Sequence, residues 1–142
     1  MLRKSAFMKL DISCIRAILL TVEKYETIYD PVAFDDDESY DELSSYPPEQ
    51  VLYHVQYCIK SGLLSDVCSN KPWGILHYDC CLEPLGHDLL ANTRTDEKWK
   101  PTQQLLNKLG GASLNVITAI AEGVTTALAN KYLPSEISKI SL

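Results

Sequence analysis

Apolar side chains fall at helical spacing along Ile12, Ile15, Leu19 and Val22 and again along Leu52, Val55 and Ile59, and after the second set the period changes to alternation. The first set predicts an amphipathic helix from Asp11 to about Tyr25, because positions three and four apart share one helix face. Asp11 is its cap: a short carboxylate accepts a backbone N–H of the first turn, and Leu10 and Ile15 sit at the staple positions around it. The second helix opens at Pro47 and Pro48, whose fixed φ suits a first turn, and carries Val51 and Cys58 beside its apolar stripe. Gly62 is its natural C-cap, and Leu63 can fold back onto the last turn.

Beyond Gly62, Leu63 to Cys68 reads as a short strand, Ser69 to Gly74 as the turn or wing, and Ile75 to Leu82 as the returning strand. Alternation assigns Leu76, Tyr78 and Cys80 to the buried face and Ile75, His77 and Asp79 to the other. A helix then begins near Leu85, with Pro84 in its first turn and Gly86 permitting close backbone approach beneath the hairpin. Past Trp99, a helical region starts at Pro101 or Thr102 and is bent or broken by Gly110 and Gly111. Ile117, Ile120, Val124 and Leu128 follow as an apolar stripe in a stretch, Leu109 to Ala129, whose only charge is Glu122. Such a helix needs a partner surface, either its own domain or a second chain, and the expectation is a homodimer through these four residues.

The order of elements predicts a mainly α chain with a small β-hairpin, an α+β winged helix-turn-helix over residues 9–94. A flexible extension over 1–8 precedes it, and a linker and C-terminal helical extension over 95–142 follow. Residues 30–45 read as an acidic, solvated loop with one short helical turn around Tyr40 to Leu43, since Asp35, Asp36, Asp37 and Glu38 repel one another. The net charge of −6 is concentrated there: Asp30 to Glu49 holds eight acidic residues and no basic one, whereas from Val51 onward the signs balance at eight each. In a winged helix-turn-helix the second helix is the recognition helix, and its outer face presents Gln50, Tyr53, Gln56, Tyr57 and Lys60, with Lys71 and Trp73 added from the wing. One lysine on that helix is a thin supply of cations for phosphate, and Glu49 stands at the end that would approach it, so duplex DNA is disfavoured.

The chemistry expected of an enzyme is absent. There is no phosphate-cradling glycine loop, nucleophile elbow or HExxH helix. Helix capping and a polar surface account for Glu83, His87 and Asp88, and His54, bordering a buried face, reads as a packed histidine. Asp35, Asp37, Ser39 and Asp41 imitate the start of an EF-hand loop, but Tyr40 and Tyr46 occupy the positions that need Gly and Glu. Five cysteines form no CxxC pair, and Cys80 and Cys81 point to opposite sides of a strand, so they do not converge with His77 on zinc. Cys58, Cys68, Cys80 and Cys81 are expected to be structural thiols, with no metal and no cofactor. No apolar run approaches the roughly 20 residues that cross a bilayer, which predicts a cytoplasmic protein without a membrane partner.

Several segments carry a resemblance: Met8-Lys9-Leu10-Asp11 with Ile15 to Leu20, Tyr53 to Cys58 leading into Ser61-Gly62-Leu63-Leu64, and Gly86 to Leu90 through Asn92, Arg94, Asp96 and Trp99. Together with Gly110, Ser113 and Leu114, they resemble an uncharacterised family of small bacterial, phage and prophage proteins, from Met8 to about Leu128. Glu83 replaces a capping Thr of that pattern, and Leu89 a common Phe. The resemblance implies a winged helix-turn-helix and supplies no catalytic residue. The function expected is a non-enzymatic protein-interaction or assembly module of phage or prophage type, with a DNA-binding transcriptional regulator as the alternative.

Overall fold

The computed structural model describes residues 9–68 and 76–140. The N-terminal extension over 1–8 and the wing over Ser69–Gly74, with Lys71 and Trp73, lie outside the described residues. The chain forms two compact units, one through Asp88 and one from Leu89.

In the first unit, helix α1 (Ile12–Tyr25) is followed by strand β1 (Val32–Asp35), a 3-10 turn (Asp41–Leu43), helix α2 (Pro48–Lys60), strand β2 (Leu64–Asp66) and strand β3 (His77–Leu82). The sheet is antiparallel in the order β1-β3-β2. Helix, strand, helical turn, helix and a two-stranded hairpin whose second strand lies centrally make an α+β winged helix-turn-helix. The short helical turn expected around Tyr40 to Leu43 is present at Asp41–Leu43, but strand β1 corrects the rest of the sequence reading, in which residues 30–45 were otherwise a solvated loop. Val32 and Phe34 turn inward opposite Cys80 and Tyr78, so two apolar residues in an acidic neighbourhood suffice for a strand once β3 supplies the ladder.

Local signals act where the sequence placed them. Asp11 Oδ1 accepts from the Ser13 and Cys14 amides at 2.9 and 3.3 Å and starts α1. Gly62 takes φ 85°, and the Leu63 and Gly62 amides reach the Cys58 and Ile59 carbonyls at 2.9 and 3.2 Å, a complete Schellman turn ending α2. Leu63 is thereby driven into the core. Ile15, Ile18, Leu19 and Val22 of α1 are buried, as are Val55 and Cys58 of α2 and Leu64, Tyr78, Cys80 and Leu82 of the sheet. Leu76, expected on the inner face, is exposed because the described strand starts one residue later.

Helix α3 (Pro84–Ala91) carries the chain into the second unit, where α4 (Asp96–Leu109) and α5 (Leu114–Ile140) pack on one another. Helix α4 begins earlier than Pro101: Thr95 accepts from the Lys98 amide, and Asp96 and Glu97 complement the positive end of the helix, so Pro101 falls inside it. Gly110 at φ 72° ends α4 as expected. Trp99, Thr102 and Leu106 of α4 are buried, as are Ile117 and Ala121 of α5, and the Tyr132 hydroxyl donates to the Glu97 carboxylate near the start of α4.

Candidate functional site

Helix α2 is the element a winged helix offers to a partner, and much of its polar face is already engaged within the first unit. Gln50 Nε2 donates to Asp11 Oδ2 at 3.1 Å, which ties the start of α2 to the cap of α1. Gln56 Nε2 donates to the Tyr78 hydroxyl at 3.3 Å, across to β3. The rings of Tyr53 and His54 meet edge to face at 5.4 Å, and half-buried Tyr57 has its hydroxyl pKa pushed up by burial, with Cys58 and Tyr53 adding to the effect. Lys60 is exposed. His54 is wholly buried and structural: the Asp11 amide donates to Nε2 at 2.9 Å, so Nδ1 carries the ring proton and donates to the Gln50 carbonyl at 2.8 Å.

Two concavities flank the start of α2. A groove of about 660 Å³ is lined by Pro47, Pro48, Leu52, Tyr53, Gln56, Leu76 and Tyr78, with Asp36 and Glu49 as its charged residues. A cavity of about 310 Å³ shares Pro48 and Leu52 with it and adds Phe34, Tyr40, Leu43, Tyr46 and Val51, with Asp35, Glu38 and Asp41. No Lys, Arg or His occurs among the described residues lining either one. The acidic run thus sits beside α2. Its fold is local: Asp35 Oδ1 accepts from the Asp37 and Glu38 amides at 2.9 and 2.8 Å, and Tyr40 donates to the Ala33 carbonyl at 2.6 Å. Burial pushes the Tyr40 hydroxyl up to about 12, Glu38 and Asp35 adding to the effect.

The outer face of the sheet holds a cluster the sequence reading missed. Asp35 lies opposite His77 in the β1–β3 register, and its Oδ2 is 2.8 Å from His77 Nδ1; His77 Nε2 is 2.9 Å from Asp79 Oδ1. Cys68, read from sequence as a structural thiol, brings its Sγ into the same group, where one ligand atom each from Cys68, His77 and Asp79 lies within 4.8 Å of the others. The Asp35 hydrogen bond raises the His77 pKa; burial opposes it and the Asp79 hydrogen bond assists it. For Asp35, burial acts upward, but the Glu38 amide, the His77 ring and the Asp37 amide together hold the carboxyl below its usual range. Strand alternation separates Cys80, which is buried, from half-exposed Cys81. The missed signal was cross-strand: only once the β2–β3 register and the Val67–Asp79 hydrogen bond are in place does Cys68 come beside His77 and Asp79.

In the second unit, of the four residues assigned to a dimer contact, Ile117 is buried and Ile120, Val124 and Leu128 are partly covered. Helix α5 has 27 residues against 14 in α4, roughly 40 against 21 Å of length. Residues 131–140 are exposed throughout, and Leu133, Ile137 and Ile140 recur there on one side at 52, 56 and 72% exposure. Among the described residues no helix is long and apolar enough to cross a membrane.

Residues 9–113 match a family model described as Hypothetical protein (DUF2513), and the chain belongs to that family. Comparison with curated proteins and with solved structures gives no match.

Proposed function

We propose that this member of the family is a non-enzymatic protein-interaction or assembly module of phage or prophage type, acting in the cytoplasm. Its partner is held in the groove between α2 and β3. The observation that carries this reading is the lining of that groove: Leu52, Tyr53, Leu76 and Tyr78 offer apolar surface, and among the described residues its charged ones are Asp36 and Glu49. Such a surface suits a protein segment with an apolar or aromatic anchor flanked by Lys or Arg, since aromatic pockets carry most binding energy and complementary rim charge sets the encounter. Duplex DNA would meet carboxylates at the same place. Gln50 and Gln56, the side chains suited to base edges, are spent on Asp11 and Tyr78.

The test is selection from a random peptide library on full-length protein, with Leu52→Glu and the double variant Asp36→Lys/Glu49→Lys as controls. Enrichment of basic-aromatic peptides that is lost with either variant is the expected result. A DNA-binding regulator is the second reading, favoured by the winged-helix topology and by exposed Lys60 on α2. Submicromolar duplex binding that weakens steeply with salt and with Lys60→Ala, in fluorescence anisotropy, would replace the first reading with it. Self-assembly belongs to the same proposal, with the homodimer contact moved from Ile117, Ile120, Val124 and Leu128, which are buried or partly covered, to the exposed end of α5 at Leu133 and Ile137. Light scattering at tens of micromolar should give twice the chain mass, and Leu133→Glu/Ile137→Glu should give the monomer; a monomeric parent protein rejects the dimer.

A further inference from the structure

We propose that Cys68, His77 and Asp79 form a binding site for a divalent transition metal of the zinc class at the end of the β2–β3 hairpin where Asp66 and His77 lie. The three side chains supply a sulfur, a nitrogen and an oxygen donor within 4.8 Å of one another. That mixture suits zinc or cobalt and poorly suits magnesium or calcium, which take oxygen donors. A thiolate and a carboxylate together neutralise the two positive charges of the ion.

The frame behind the ligands is built. The Val67 amide donates to the Asp79 carbonyl at 2.8 Å, and Asp66 Oδ1 accepts from both the Cys68 and Asp79 amides at 3.0 and 3.1 Å. Two of the ligand residues are therefore pinned by one carboxylate oxygen. Asp35 holds His77 Nδ1 at 2.8 Å from the neighbouring strand, which fixes the ring and turns Nε2 toward Asp79. A carboxylate on the far nitrogen is the support that metal-binding histidines ordinarily have.

The His77–Asp79 pair needs little change to accept an ion. At the bond lengths of tetrahedral zinc, nitrogen and oxygen ligands lie about 3.3 Å apart. The present Nε2–Oδ1 separation is 2.9 Å, so loading widens it by roughly 0.4 Å. The Cys68 thiol proton, and the Nε2 proton where the ring is imidazolium, leave to solvent as the ion enters. His77 and Asp79 side chains are 28 and 29% exposed, which gives the ion access and leaves a fourth position to water. In sequence, Cys68 and His77 bracket the wing, so the ion would clasp the hairpin where its ladder ends.

The experiment uses full-length protein stripped with a chelator and kept reduced, titrated with cobalt(II) and then with zinc. Expected are one equivalent of cobalt per chain, a thiolate-to-cobalt charge-transfer band, its loss on adding zinc, and protection of Cys68 from alkylation by zinc. Cys68→Ser and Asp79→Asn should each weaken binding by about 100-fold or more, Asp35→Asn by about 10–100-fold, and Cys81→Ser should leave it unchanged. Circular dichroism without metal checks that each variant folds, and the alkylation assay on the parent protein stands if one does not. Failure to hold one metal per chain, binding without the charge-transfer band, or undiminished binding by folded Cys68→Ser would overturn the site and leave a His77–carboxylate clasp.

Discussion

Gly86→Ala and Gly123→Ala place the same substitution in two helices and should act with opposite sign. Around Gly86, an added Cβ would overlap the Leu63 carbonyl oxygen, with Leu82 Cδ2 at 3.0 Å and the Leu63 carbonyl carbon at 3.2 Å. That carbonyl is not idle, because it accepts from the Glu83 amide at 3.0 Å and so joins the end of the α2 turn to the start of α3. Backbone cannot swing aside as a flexible side chain can. Overpacking of this kind costs about 1–3 kcal/mol, and weakening the hydrogen bond to a buried carbonyl adds about 1–3 kcal/mol. Higher helix propensity returns about 1 kcal/mol, leaving a net loss near 3 kcal/mol. At Gly123 nothing lies within 4 Å of the new Cβ, so the propensity gain of about 0.5–1 kcal/mol should stand alone. Urea unfolding followed by far-ultraviolet circular dichroism measures both. If Gly86→Ala falls within about 0.5 kcal/mol of the parent, or stabilises as Gly123→Ala does, α3 does not abut the Leu63 carbonyl and the reasoning fails.

Phe34, 2% exposed on β1, tests the strand that the acidic context concealed: Phe34→Ala should cost about 3–5 kcal/mol in the same assay, and a loss below about 1 kcal/mol would return this segment to a solvated loop. Burial, with Asp11 assisting, pushes the Cys14 thiol up to about 12, so the folded chain keeps a proton that the unfolded chain releases above about pH 9. Stability should therefore fall as pH rises from about 9 toward 12, at about 1.4 kcal/mol per pH unit for this thiol, and Cys14→Ala should remove that share of the slope. Equal slopes for the two proteins in urea titrations at pH 8, 9 and 10 would refute the assignment.

How much could be read in advance depended on the range of the interaction. Asp11, Pro48, Gly62 and Gly110 act through backbone geometry and hydrogen bonds a few residues away, so the caps and breaks they impose are present in the sequence and recur in the structure. The inward alternation of Tyr78 and Cys80 was legible for the same reason, since neighbouring side chains on a strand must point opposite ways. Strand β1 was not, because four residues rich in no strong signal become a strand only when β3 offers its free edge. The groove likewise required α2, the acidic turn and β3 to be brought together from separate parts of the chain. The same holds for Cys68, His77 and Asp79, whose spacing of nine and two residues matches no local chelate pattern. Their convergence is set by hairpin register and by Asp66, whose carboxylate accepts from the Cys68 and Asp79 amides. Sequence by itself determined most helices, several of their ends and the family; strand β1 and which side chains meet across the elements were decided by pairing between distant segments, whose favourable contacts exist only after the chain has closed the intervening loops.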